Sequence, residues 1–199
     1  MERIAVFAAT EREIAGCRQI EGLDFHVTGI GAANTAAAVA RILGRSAPDY
    51  YCAIQAGIAG AYHRGLNIGD AVLVVSDRQA DLGAWRGDRL EEFARDAPPI
   101  ECPRISDIAW QGPVVRAQSV NTAATPLVPR GLADIETMEG AAFFTAAAES
   151  GVKFLQLRVI SNYVDDPREK WQIERAIAAL PDALAQLLEA VRTQGSLSV

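Results

Sequence analysis

Apolar residues fall along the chain in two patterns. Ile4 to Ala8, Tyr50 to Gln55, Asp70 to Val75, Val114 to Ala117 and Phe154 to Ile160 are runs of strand length, with Phe25 to Thr28 and Asp134 to Glu136 as shorter candidates. Between them, Ala32 to Leu43, Glu139 to Ser150 and Trp171 to Arg192 read as helices. In the last, Ile173, Ile177, Leu180, Leu184, Leu187, Leu188 and Val191 stand at helical spacing, and Pro181 is expected to bend or split it. Thr10 followed three positions on by Glu13 marks a helix start, and Gly44 a helix stop. Tyr50 to Gln55 is expected to end before Ala56-Gly57-Ile58-Ala59-Gly60, residues 76–108 to form a long surface excursion, and residues 193–199 to be loose. Strands alternating with helices predict an open, largely parallel α/β sheet with active-site groups at strand carboxyl ends. Neither a repeat nor a linker divides residues 1–199, so one domain is expected.

Composition narrows the class. Half the residues are apolar and few are aromatic, which suits layered packing led by Ala, Val, Leu and Ile. A net charge of −6 without a local Lys/Arg cluster argues against polymeric nucleic acid as a partner. Cys17, Cys52 and Cys102 have no metal or Cys-x-x-Cys spacing and read as reduced core thiols; His26 and His63 form no metal constellation, and no cofactor is expected. The start, Met1 to Phe7, lacks the basic and long apolar regions of a signal peptide, and no apolar run has the length of a membrane helix, so a cytoplasmic location is expected.

Four segments could carry chemistry. In Thr10-Glu11-Arg12-Glu13 the acids follow a strand; helix electrostatics explain such acids, and so would a general base. Gly57-Ile58-Ala59-Gly60 permits close approach of backbone to a ligand, although a structural turn needs the same glycines, as does Gly29-Ile30-Gly31. It is neither a dinucleotide fingerprint nor a P-loop. Glu136-Thr137-Met138-Glu139-Gly140 puts two acids and a methionine at a strand-to-helix junction, where a carboxylate can accept both hydrogens of a vicinal diol and the thioether can meet a sugar face. Arg158-Val159-Ile160-Ser161-Asn162 ends an apolar strand in small polar residues, an ordinary turn or an amide that reads a heterocycle.

In this order the four segments resemble the nucleoside phosphorylase and hydrolase superfamily, and most of all its branch of methylthioadenosine/S-adenosylhomocysteine nucleosidases and futalosine hydrolases. The resemblance runs from the first strand to the last helix, with Asn67-Ile68-Gly69-Asp70 supporting the register. It implies that Glu13 activates water, that Glu139 binds the ribose with Met138 under the ring, and that Gly57 and Ile58 supply backbone at the nucleophile site. It further implies that the loop after the fourth long strand, with Val120 and Thr122, faces the base. Asn162, oriented by Ser161, stands where adenine-releasing nucleosidases carry an Asp, and an amide suits a 6-oxopurine. The Ser161-Asn162 pair and the Arg168, Trp171 and Ile173 segment resemble the futalosine hydrolases, which release hypoxanthine in menaquinone synthesis; Arg168 and Trp171 would then meet the substrate's distal aromatic carboxylate. Gln55 occupies the place of the phosphorylases' phosphate-binding Arg, which favours water as nucleophile.

The expectation is therefore a futalosine-hydrolysing N-glycosidase that acts on a small purine nucleoside, and the resemblance implies a nucleoside phosphorylase/hydrolase-like fold, three-layer α/β/α with a central mixed, largely parallel sheet. It needs no membrane, and the resemblance implies a homo-oligomer. The alternatives are a methylthioadenosine-type nucleosidase, a 6-oxopurine nucleoside phosphorylase and a nucleoside-binding regulator without chemistry.

Overall fold

The computed structural model describes residues 3–46, 49–87, 89–93, 97–103, 105–125 and 128–195. In chain order the elements are β1 (Arg3–Ala8), α1 (Glu11–Ile14), β2 (Leu23–Val27), α2 (Ala32–Ser46), β3 (Tyr50–Ala61), β4 (Ala71–Gln79), β5 (Gly83–Arg86), β6 (Arg89–Glu92), β7 (Ile100–Glu101), β8 (Val114–Ser119), β9 (Ile135–Thr137), α3 (Gly140–Ser150), β10 (Lys153–Tyr163) and α4 (Ile173–Gly195).

An eight-stranded mixed sheet is organised around β3. The first half of β3 pairs in parallel with β1, which pairs in parallel with β2. Along its other edge β3 runs parallel to β10. β10 then pairs antiparallel with β4, β4 parallel with β8, β8 parallel with β9, and β9 returns antiparallel to Gly60 and Ala61 of β3. The second half of β3 thus closes a ring of five strands, while its first half carries an open extension. Helices α2 and α3 pack together on one layer, and α1 and α4 on another against β3 and β10. Phe7, Phe143, Phe144 and Phe154 fill the space between α3 and the sheet, with ring centroids of Phe144 and Phe154 5.0 Å apart. Burying such a side chain stabilises the fold by about 1.5–3 kcal/mol. Among the described residues no helix is long and apolar enough to cross a membrane.

The structure corrects several local expectations. β3 does not stop at Gln55 but continues through Gly57 and Gly60 to Ala61, because ladders on both sides hold it extended despite its glycines. β10 likewise continues through Ser161 and Asn162 to Tyr163. Its register against β3 shifts between Ile160 and Asn162, a bulge that re-aims the end of the strand. Gly44 does not end α2; it is absent from the positive-φ glycines, so it never takes the left-handed cap conformation. Pro181 does not split α4. Its ring lies over Gly16, where a Cβ would come 3.0 Å from Pro181 Cγ, so a glycine makes the room this helix interior needs. The excursion at 76–108 begins only after Gln79 and holds the β5–β6 hairpin and the short β7. Ser196 to Val199, part of the expected loose tail, lie outside the described residues.

Candidate active site

The first acid is fixed by the local rule that predicts its helix. Thr10 caps α1, and its backbone N–H and hydroxyl donate to Glu13 Oε2 at 3.0 and 2.9 Å. That capping box occupies one carboxylate oxygen. The other accepts from the Ile58 N–H of β3 at 3.4 Å. Glu13 is therefore a buried helix-start residue that also faces a cavity.

Glu139 occupies the N-cap position of α3 but does not cap it with its side chain. Instead the Gly31 N–H donates to Glu139 Oε1 at 2.9 Å. Gly31 has a φ of +90°, a left-handed conformation that glycine adopts without strain, which gives the Gly29-Ile30-Gly31 turn its reason. Burial pushes the Glu139 carboxyl above its ordinary range, the Glu13 charge adds to this, and Arg158 and the Gly31 N–H oppose it.

Arg158 joins these acids. Its side chain is 2% exposed, with Nη1 4.0 Å from Glu139 Oε2 and Nη2 donating to Gln55 Oε1 at 2.7 Å. The guanidinium also passes the missing side chain of Gly57, where a Cβ would stand 2.5 Å from Arg158 Nη1 and 2.8 Å from Glu13 Oε1. Gly57 is thus not a turn but the clearance between an acid and a cation. The sequence pattern assigns Arg158 no role of its own. The available signal is a pair of polar residues, Gln156 and Arg158, in an otherwise apolar strand run.

At the end of β10, Ser161 and Asn162 are buried beside the same cavity. The Ser161 hydroxyl lies 2.7 Å from Asn162 Oδ1 and 3.1 Å from the Ala59 carbonyl, and its proton is shared between these two acceptors. With Oδ1 held this way, the amide presents its N–H end. The cavity encloses about 340 Å³ between Glu13, Ile58, Met138, Glu139 and Asn162, a size suited to a small organic ligand. Arg168, Trp171, Ile173 and Ile177 also line it, with the Arg168 guanidinium 5.1 Å from the centroid of the Trp171 ring.

Two residues expected at the base are placed elsewhere. Val120 is fully buried in a small apolar cluster with Ala80 and Val128, and Thr122 is exposed. Ala123 lines the cavity in their stead, because the chain turns at Ala124 with a φ of +58°. A polar layer that no sequence motif marks lies beneath the site. Asp77 of β4 accepts from Ser119 Oγ at 3.0 Å and from Thr137 Oγ1 and Gln156 Nε2 at 3.3 Å each. Ser119 Oγ in turn accepts the Ala141 N–H of the first turn of α3 at 2.8 Å. This network clamps residues 137–141, the segment that carries Met138 and Glu139. Complete burial raises the Asp77 carboxyl from the ordinary 3.8 to about 6.

Two acids, a guanidinium between them and an amide donor across a partly apolar cavity can orient a diol, hold a water and stabilise a leaving heterocycle. Comparison with known proteins agrees with this chemistry. Residues 26–193 match the phosphorylase superfamily. A futalosine hydrolase of Thermus thermophilus is 31% identical over 195 residues, covering 84% of this chain and 81% of the relative. A futalosine hydrolase of Streptomyces coelicolor is 33% identical over 188 residues, covering 84% and 79%. In fold, the chain is similar to a futalosine hydrolase mutant of Helicobacter pylori, with a TM-score of 0.79 at 17% identity over 95% of this chain and 99% of that one. It is also similar to the 5'-methylthioadenosine/S-adenosylhomocysteine nucleosidase of the same organism, with a TM-score of 0.75 at 18% identity over 94% and 98%. With a match across most of its length and curated relatives aligned along most of theirs, this chain belongs to the phosphorylase superfamily.

Proposed function

We propose that the protein hydrolyses the N-glycosidic bond of futalosine and releases hypoxanthine; the relatives it matches along most of their length are futalosine hydrolases by name. The observation that carries this reading is the convergence of Glu13, Glu139 and Asn162 on one cavity. Glu139 accepts the ribose hydroxyls, and Met138 packs against the sugar. As the bond from C1′ to N9 lengthens, its electron pair passes to the purine and positive charge gathers on the sugar. Glu13 takes a proton from a water whose oxygen forms the new bond to C1′. Asn162 donates a hydrogen bond to the departing base, which is protonated from solvent as it leaves. The contribution of Asn162 is electrostatic and aimed at charge that develops only in the transition state.

Water, rather than phosphate, fits the charges around Arg158. A guanidinium alone would attract an oxyanion, but this one lies against Gln55 and Glu139 with Glu13 across the Gly57 gap. A phosphate dianion placed there would meet two carboxylates. Elsewhere on the lining, Arg168 over Trp171 suits the aromatic carboxylate of the substrate's distal group. The reaction belongs to menaquinone synthesis and to the cytoplasm, and the protein acts as a homo-oligomer. Exposed Leu82, Trp85 and Phe93 in and beside the β5–β6 hairpin support association through that arm.

The test is incubation of the purified protein with futalosine, with and without phosphate. Hypoxanthine should appear at the same rate in both, and Glu13→Gln should abolish turnover while futalosine still binds. A requirement for phosphate, or much faster cleavage of methylthioadenosine, would refute the assignment.

A further inference from the structure

Neither the water nor the ribose chemistry uses Glu136. This acid is 5% exposed, lines the cavity, and stands on β9 directly opposite Gly60 of β3. On the other side of Gly60, β10 places Asn162 opposite the same residue. Residues directly opposite one another across a sheet share a face, so Asn162, Gly60 and Glu136 form one row, its outer backbones about 10 Å apart by two strand spacings. Gly60 has no side chain to fill the middle. A Cβ there would come 3.0 Å from Asn162 Nδ2 and 3.0 Å from Val164 Cγ2, so the amide leans inward along the row beside a valine methyl. The row therefore has a donor at one end, a carboxylate at the other and, between them, an apolar floor of Gly60 backbone and the Val164 methyl.

The carboxylate is held as an acceptor. Its Oε1 receives the Ala124 N–H at 2.7 Å and its Oε2 the Tyr62 hydroxyl at 3.0 Å, while Tyr62 receives Gln118 Nε2 at 2.7 Å. The Tyr62 hydroxyl thus donates toward Glu136, and Gln118 supports it while also donating to the Pro129 carbonyl at 3.1 Å. An ionised carboxylate offers about four lone-pair sites, so acceptor capacity is left after these two bonds.

We infer that Glu136 is the specificity-determining partner of Asn162 and accepts the N1–H of a 6-oxopurine while the Asn162 amide donates to the O6/N7 edge. The inference rests on reading this cavity as a purine nucleoside site. A 6-oxopurine supplies a donor where the row has its carboxylate and acceptors where it has its amide. An adenine turns the N1 lone pair toward the same carboxylate. A buried acceptor built for one hydrogen rejects the base that lacks it far more strongly than an apolar wall does.

Calorimetric titration of hypoxanthine and 1-methylhypoxanthine into the intact protein tests this without turnover. The wild-type protein should bind hypoxanthine at least about tenfold more tightly, as expected for loss of a hydrogen bond to a charged group. In Glu136→Gln, which keeps the length and a carbonyl for the Ala124 N–H, hypoxanthine should weaken about tenfold and the preference should vanish. Equal wild-type affinity for the two bases overturns the inference, and so does an equal loss for both in the variant, the result expected if Glu136 only pins the loop at Ala124. If the variant does not fold, the wild-type pair of titrations decides alone. Preserved discrimination in a protein that fails to cleave futalosine sinks the proposed reaction and leaves this inference standing. Futalosine cleavage with no discrimination does the reverse.

Discussion

Replacing Gly57 by alanine tests the active-site geometry at its tightest point. The added Cβ would stand 2.5 Å from Arg158 Nη1 and 2.8 Å from Glu13 Oε1. Comfortable contact begins at about 3.5 Å, so the guanidinium must retreat by about 1 Å and the carboxylate by about 0.7 Å. Neither retreats freely. Glu13 Oε2 is tied to the Thr10 N–H and hydroxyl, and Arg158 is buried with Nη2 bonded to Gln55. Displacing a catalytic group by about 1 Å costs on the order of 100-fold in rate, which corresponds to about 3 kcal/mol of activation free energy. Overpacking should also cost about 1–3 kcal/mol of stability. Hypoxanthine release at saturating futalosine, measured beside a thermal melt, separates the two effects. A folded Gly57→Ala protein with kcat within about threefold of wild type would refute the view that the space between Glu13 and Arg158 matters to the reaction.

Thr10→Ala removes the hydroxyl that caps α1 and bonds Glu13, and it should cost about 1 kcal/mol of stability while lowering kcat more than it raises KM; denaturant melts and steady-state rates check both, and an unchanged kcat would argue against Thr10 holding the acid. Asp77→Asn addresses the buried carboxyl whose pKa is raised by burial to about 6 from the ordinary 3.8. A raised carboxyl favours its protonated form in the folded state, so its stabilising contribution is present below about pH 4 and lost as pH rises through about 6. The variant should therefore gain stability relative to wild type between pH 4 and pH 8 by up to about 3 kcal/mol. Gln156 can turn its unpartnered Oε1 toward the new amide, which keeps the network connected. A stability difference that stays flat across this range would contradict the assignment.

Much of this architecture is legible from hydrophobic patterning, because each long strand and helix has a periodic face to bury. Thr10 and Glu13 announce their capping box in the sequence, and the same bonds that start the helix position the acid. What escapes local reading depends on partners distant in sequence. The extension of β3 through Gly57 and Gly60 is imposed by β10 and β9, which follow it by about a hundred and about seventy-five residues. Arg158 looks like a flaw in an apolar strand until Gln55 and Glu139 are brought beside it. Asp77 falls in the stretch expected to be a surface excursion and Glu136 reads as one of two acids at a strand-to-helix junction; only the closed ring turns both inward. The loop after β8 misleads for a different reason: the left-handed turn at Ala124, pinned by Glu136, sends Ala123 rather than Val120 or Thr122 to the cavity.

The three residues of β9 give the ring its final seam, and Met138 and Glu139 follow them at once in the chain. Closure of the sheet and presentation of the ribose acid are therefore one structural event. A chain in which β9 detaches loses its nucleoside site together with its seam, so a bound nucleoside holds the ring shut with free energy that grows as RT ln(1 + [L]/Kd). Hydrogen exchange at the Ile135 to Thr137 amides, compared with exchange in the β1–β2 extension, would register a ligand as a clasp on that seam.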